Sequence, residues 1–169
     1  MSHLAYADTP VLDPARLRVV ASINLDDPDL RDELDLITDR TATATSAPVS
    51  LITVVRDDAK VVSGSHGLTG WLKDSGGTPL QWAFCAATVA TGRPCIITDT
   101  ANDEVHRNNP LVTRLGFAAY AGQPIYLDGQ IVGAHSIIDT TPRTFTEREM
   151  HEIAEGSWAA AAILARYRH

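Results

Sequence analysis

Two cysteines stand ten residues apart in the stretch WAFCAATVATGRPC, Trp82 to Cys95, and the chain has no others. Cys85 and Cys95 open three readings: a redox pair, half of a metal site, or two small apolar residues. If the helix that carries Cys85 runs to Thr91, Cys85 sits about 9 Å up its axis, at roughly 1.5 Å per residue. A disulfide needs Cα atoms within about 7 Å, so a bridge forms only if the following strand runs back beside the helix. Both thiols are therefore expected as core or pocket-wall residues.

The six histidines are His3, His66, His106, His135, His151 and His169. No two show metal-ligand spacing, alone or with the cysteines. Ser65 and His66 are neighbours in a strand, so their side chains point to opposite faces and make no nucleophile–base pair. His135, inside the last strand, is expected to hydrogen-bond at the sheet face or to meet a ligand. No P-loop or dinucleotide fingerprint is present. The aromatic residues Trp71, Trp82, Phe84 and Tyr120 form a possible apolar lining, with Gln123 and His135 as polar groups from neighbouring strands.

The elements that must position these residues follow from period and punctuation. Asp13–Asn24 reads as a short helix begun by Pro14, and the segment from Pro28 as a longer one with acidic residues in its first turn and an apolar stripe of Leu30, Leu34 and Ile37. Val49–Val55 and the returning VVSGSHGL read as a hairpin. TGWLKDSGGT reads as loop, PLQWAFCAATVAT as a helix from Pro79 to the Gly92 stop, and CIITDT as a strand. Asp128-Gly129 joins two further strands. The last helix carries a Thr146/Glu149 capping box, a Phe145–Met150 staple and an inner face of Met150, Ile153, Ala154, Ser157, Ala161, Leu164 and Ala165. Two hairpins among helices predict an α+β fold with a largely antiparallel sheet.

The chain has 169 residues, 21 acidic against 14 basic, and a net charge of −7. That balance, with scattered arginines and only Lys60 and Lys73 as lysines, argues against nucleic-acid binding. Neither a signal-peptide start nor a long apolar run is present, so the expected location is cytoplasmic, without membrane contact and with thiols reduced.

In order, SLITVVRDDAKVVSGSHGL, FCAATVATGRPCIITDT, NNPLVTRLGFAAYAGQPIYLDGQIVGAHSIID and a closing helix resemble a GAF domain over roughly residues 30–165. The resemblance implies a GAF/PAS-like antiparallel sheet of five to six strands with terminal helices on one face. On the other face it implies a small-molecule pocket roofed by residues 71–84 and 101–117. Residues 1–29 then form an N-terminal extension with the first helix, and 30–169 the domain. The implied ligand-binding set is Trp71, Trp82, Phe84, Cys85, His106, Tyr120, Gln123 and His135. The polar run Asn102–Glu104 invites comparison with cyclic-nucleotide-binding relatives, but its spacing does not fit. No cofactor is assigned. Haem on His135 or His66, or bilin on Cys85, is not expected.

One branch of the family, the free methionine-(R)-sulfoxide reductases, has two cysteines at this ten-residue spacing. Its third, catalytic cysteine falls where this chain has LGFAAYAG, and Ala118 and Ala119 offer no nucleophile. The resemblance thus implies a non-catalytic, stand-alone bacterial sensor that binds a small ligand, with a separate output protein as a candidate partner. The small-residue helix GSWAAAAILARY, with Trp158 and Tyr167 as its large exceptions, predicts a homodimer through the N- and C-terminal helices. Two other readings stay open: a thiol-dependent reductase of free methionine sulfoxide, and a pocketless dimerisation module.

Overall fold

A computed structural model describes residues 10–70, 73 and 76–169. Helix α1 spans Pro14–Ala21 and α2 spans Pro28–Thr45. Each begins with a proline behind an aspartate, Asp13 or Asp27, whose side chain accepts a backbone N–H of the first turn. Helix α2 ends on Ser46 in the left-handed conformation, φ 57°. The stop therefore comes two residues before Pro48.

Strands β1 (Val49–Val55) and β2 (Ala59–His66) form the first hairpin, and β5 (Ala119–Leu127) and β6 (Gln130–Asp139) the second. Asp128 and Gly129 both take positive φ, 51° and 72°, as the tight turn between β5 and β6 requires. Edge strands β3 (Gly77–Pro79) and β4 (Cys95–Ile97) complete a six-stranded antiparallel sheet in the order β3-β2-β1-β6-β5-β4.

Strand β3 falls inside the segment whose sequence reads as loop and helix start. A glycine, a threonine and a proline carry no strand pattern, and only pairing with Ala59–Val61 makes them one. The helix expected from Pro79 is correspondingly shorter. A 3₁₀ turn over Leu80–Trp82 precedes α3, which spans Cys85–Thr91 and closes on left-handed Gly92, φ 71°.

Helices α2 and α5 (Glu147–Arg166) cover one face of the sheet. Leu30, Leu34, Ile52, Ile125, Val132, Ala160 and Leu164 form the main core there, most of them fully buried. Each leucine, isoleucine or valine among them contributes roughly 1.5–3 kcal/mol relative to exposure. The capping box of α5 is present, with Thr146 accepting from Glu149 N–H at 3.1 Å and Glu149 from Thr146 N–H at 2.9 Å. Its inner face differs from the expected one: Gly156 and Ala160 are buried, whereas Ala161 is half-buried and Ala165 exposed. The helix is rotated toward its smallest residue because Gly156 must clear a strand side chain beneath it.

The opposite face is covered by α3, the short helix α4 (Pro110–Thr113) and the long connections around it. Two clusters sit there. One holds Val49, Leu51, Val62, Phe84, Leu111, Phe117, Tyr120 and Ile138. The other holds Val55, Cys85, Ala86, Val89 and Ala134. Arg16 of α1 closes one end of the sandwich. It is 2% exposed and donates to the carbonyls of Val11 (2.9 Å), Val55 (2.7 Å) and Ile131 (3.2 Å).

Candidate functional site

Strand register brings polar groups together beneath α3. Gly122 lies between Cys95 on β4 and Ser136 on β6. Tyr120, two residues before it on the same face, lays its phenol over Gly122. A Cβ at position 122 would meet the Tyr120 hydroxyl at 2.5 Å, so only glycine leaves that space. The hydroxyl faces those of Ser136 and Thr88 but completes no hydrogen bond. Thr88, one helical turn after Cys85 on α3, is fully buried, and its hydroxyl is also unpartnered.

On the β2 side, Lys60 pairs with Val55 of β1 and Thr78 of β3. Lys60 is 3% exposed, and burial depresses its pKa against a raising influence from Cys85. The Thr78 hydroxyl is buried without a partner. Cys85 faces Thr53, and burial pushes its thiol pKa up. Burial, with Asp103 and Cys85 adding, raises Cys95 to about 11. Both thiols are free and protonated at neutral pH, Cys85 buried and Cys95 half-buried, which is the unreactive state of a cysteine.

Aromatic rings close this space. Phe84 packs edge-on to His106 at 4.7 Å and tilted to Tyr120 at 5.1 Å, between ring centroids. His106 is buried, which lowers its pKa although Asp103 opposes the shift. Asn109 accepts from Leu111 N–H through its carbonyl (2.9 Å), so its amide donates to His106 Nδ1 (3.0 Å) and to the Trp82 carbonyl (3.0 Å). That places the imidazole proton on Nε2.

The expected site residues thus divide. Phe84, Cys85, His106 and Tyr120 converge beneath α3, with half-buried Trp82 packed at the margin. Gln123 and His135 do not join them. They pair across β5 and β6 on the other face, where Gln123 donates to the Met150 carbonyl (3.3 Å) and His135 Nδ1 to that of Ile153 (2.8 Å). Strand alternation decides this, because Tyr120 and Gln123 are three residues apart. Trp71 and His3 lie outside the described residues.

Sequence reasoning passed over Lys60, Thr78, Thr88 and Ser136. Lysine beside a polar turn looks like a solvated residue, and only its alternation with Val62 points it inward. Two openings adjoin the site. A pocket of about 230 Å³ lies by Val49, Leu68, Leu115 and Phe117, and a cleft of about 910 Å³ between α1 and β2–β3 has Lys60 and Thr78 in its lining. Among the described residues no three His, Cys, Asp or Glu side chains converge as metal ligands. No helix of the described residues is long and apolar enough to cross a membrane.

An open antiparallel sheet with long helices on one face and a short helix with loops over a polar-lined core on the other defines a layered α+β domain. The family profile for the GAF domain matches residues 29–155, and the chain belongs to that family. Solved structures agree in fold. The GAF domain of a phosphoenolpyruvate-protein phosphotransferase from Acinetobacter superposes with a TM-score of 0.69 at 18% identity, over 90% of this chain and 92% of that one. Its counterpart from Coxiella burnetii gives 0.69 at 20% identity, over 89% and 93%. A type II free methionine-R-sulfoxide reductase from Thermoplasma acidophilum gives 0.68 at 11% identity, over 83% and 95%. None of the curated proteins compared matches the chain in sequence.

Proposed function

We propose that the protein is a non-catalytic sensory or regulatory domain that binds a small molecule between the sheet and α3. The observation that carries this reading is the set of unpartnered hydroxyls of Thr78, Thr88 and Tyr120, buried on one face of the sheet with Lys60. Each unsatisfied buried group costs about 1–3 kcal/mol, so a core that keeps several is built for something that bonds to them. The protonated state of both thiols supports binding rather than reduction. Association would use the outer side of α2 and α5, where Leu36 and Trp158 are 67% and 63% exposed.

The packing of Phe84 on Tyr120 favours a second reading, a filled and pocketless module kept for association. Native mass spectrometry of freshly purified protein, with a thermal-shift screen of small metabolites, separates the two. A ligand-binding domain shows co-purified mass or a saturable rise in melting temperature. Bare subunit masses and no shift with any compound would sink the sensor reading. Cys85-dependent turnover of free methionine sulfoxide would replace it with the reductase.

A further inference from the structure

We propose that the socket of about 230 Å³ at the end of the sheet beside α4 is a second binding site, for a small uncharged aromatic molecule of two fused rings. The site is separate from the space beneath α3, because none of the described residues lining it belongs to α3 or β5. Its floor is apolar: Val49, Leu68 and Phe117 border the space and are otherwise buried. Half-buried Leu115 forms a wall, and the exposed Thr69 and Thr140 mark the mouth. The backbone builds this shape. Gly67 takes φ 80°, and a Cβ there would meet the Pro48 carbonyl oxygen at 2.0 Å. Only glycine lets the chain after β2 pass so close to the start of β1, and that crossing brings Leu68 into one cluster with Val49 and Phe117.

A packed core seldom leaves a void larger than a water molecule, and one of this size forfeits contacts along its whole wall. The lining selects what fills it. None of the described residues around the socket is charged, so an ionised ligand would shed its hydration there without a partner. An apolar cavity of about 150 Å³ takes up a single benzene ring. This socket has roughly half as much space again, which suits two fused rings. The two threonine hydroxyls offer a partner to one N–H or O–H of the ligand at the mouth.

Indole has this size, no charge and one N–H. Phenol is a ring smaller, and indole-2-carboxylate adds a charge. Calorimetry on the full chain is expected to show saturable indole binding below about 2 mM, phenol about tenfold weaker, and no binding of the carboxylate. The place is read in the parent protein by methyl NMR, since a bound aromatic ring displaces the resonances of the methyl groups against it. The methyls of Val49, Leu68 and Leu115 are expected to move with indole more than those of Ala86 and Val89 on α3. The reverse order overturns the socket and supports binding beneath α3. Phenol or the carboxylate binding as tightly as indole overturns the ligand class. Indole that does not bind at all overturns the proposal, and leaves the pocket beneath α3 to its own screen.

Discussion

The imidazole of His135 lies directly under Gly156 of α5: a Cβ added at 156 would sit 2.2 Å from the ring's Cε1. The ring donates to the Ile153 carbonyl of the same helix at 2.8 Å, so strand and helix are locked at one height. Alanine in place of a mid-helix glycine ordinarily stabilises by up to about 1 kcal/mol. Here the sign reverses. Gly156→Ala is expected to lose roughly 1–3 kcal/mol by overpacking, read as a lower urea midpoint with an unchanged slope.

His135 also sets an acid limit. Burial lowers its pKa to about 4, although the Ile153 carbonyl raises it. The unfolded chain takes up the proton near pH 6.5 and the folded one near pH 4. Stability from this group is therefore full above pH 6.5 and declines as pH falls toward 4, by up to about 3 kcal/mol. Denaturation curves of the parent and of His135→Asn between pH 4 and 7.5 test this: the parent's steeper loss should shrink in the variant.

Arg143 is the second fastening of α5. It donates to Asp139 (3.0 Å), to the Thr45 carbonyl (3.2 Å) and to Glu149, and its guanidinium lies 5.2 Å from the Phe145 ring centroid. Arg143→Ala strips a partly buried Glu149 of its cation and is expected to lose about 2 kcal/mol. Thr146→Ala, which removes the cap hydroxyl together with the γ-methyl, should lose about 1 kcal/mol. The order of the two melting temperatures checks the assignment.

If the outer side of the terminal helices joins two copies, a charge there separates them. Trp158→Glu is expected to convert a dimer into a monomer in sedimentation velocity, with the far-ultraviolet spectrum unchanged. A parent protein that sediments as a monomer ends the association proposal.

Much of this architecture was legible in the sequence because it is written in local signals. Proline starts behind Asp13 and Asp27, the Thr146/Glu149 box and Asp128-Gly129 act within a few residues of themselves. Strand β3 was not legible, since Gly77–Pro79 becomes a strand only through its neighbour. The site was half legible. Apolar residues near α3 announced Phe84, Cys85 and Tyr120, but which face a strand residue takes depends on register and bulges. The pairing shifts between Ile52 and Thr53 and between Ile125 and Tyr126 are invisible in a single sequence. Gln123, His135 and Lys60 lie clear of those shifts: simple alternation from Tyr120 and from Val62 sets their faces, once it is known which face of the sheet meets α3.

The two outer strands, β3 and β4, have three residues each. So short a border offers a foreign chain few free N–H and C=O groups, and Pro79 withholds one of them. Growth of the sheet sideways, whether into a fibre or onto a partner's strand, is thereby discouraged. What this molecule recognises must come to its faces and its helices, where side chains rather than bare backbone decide who is admitted.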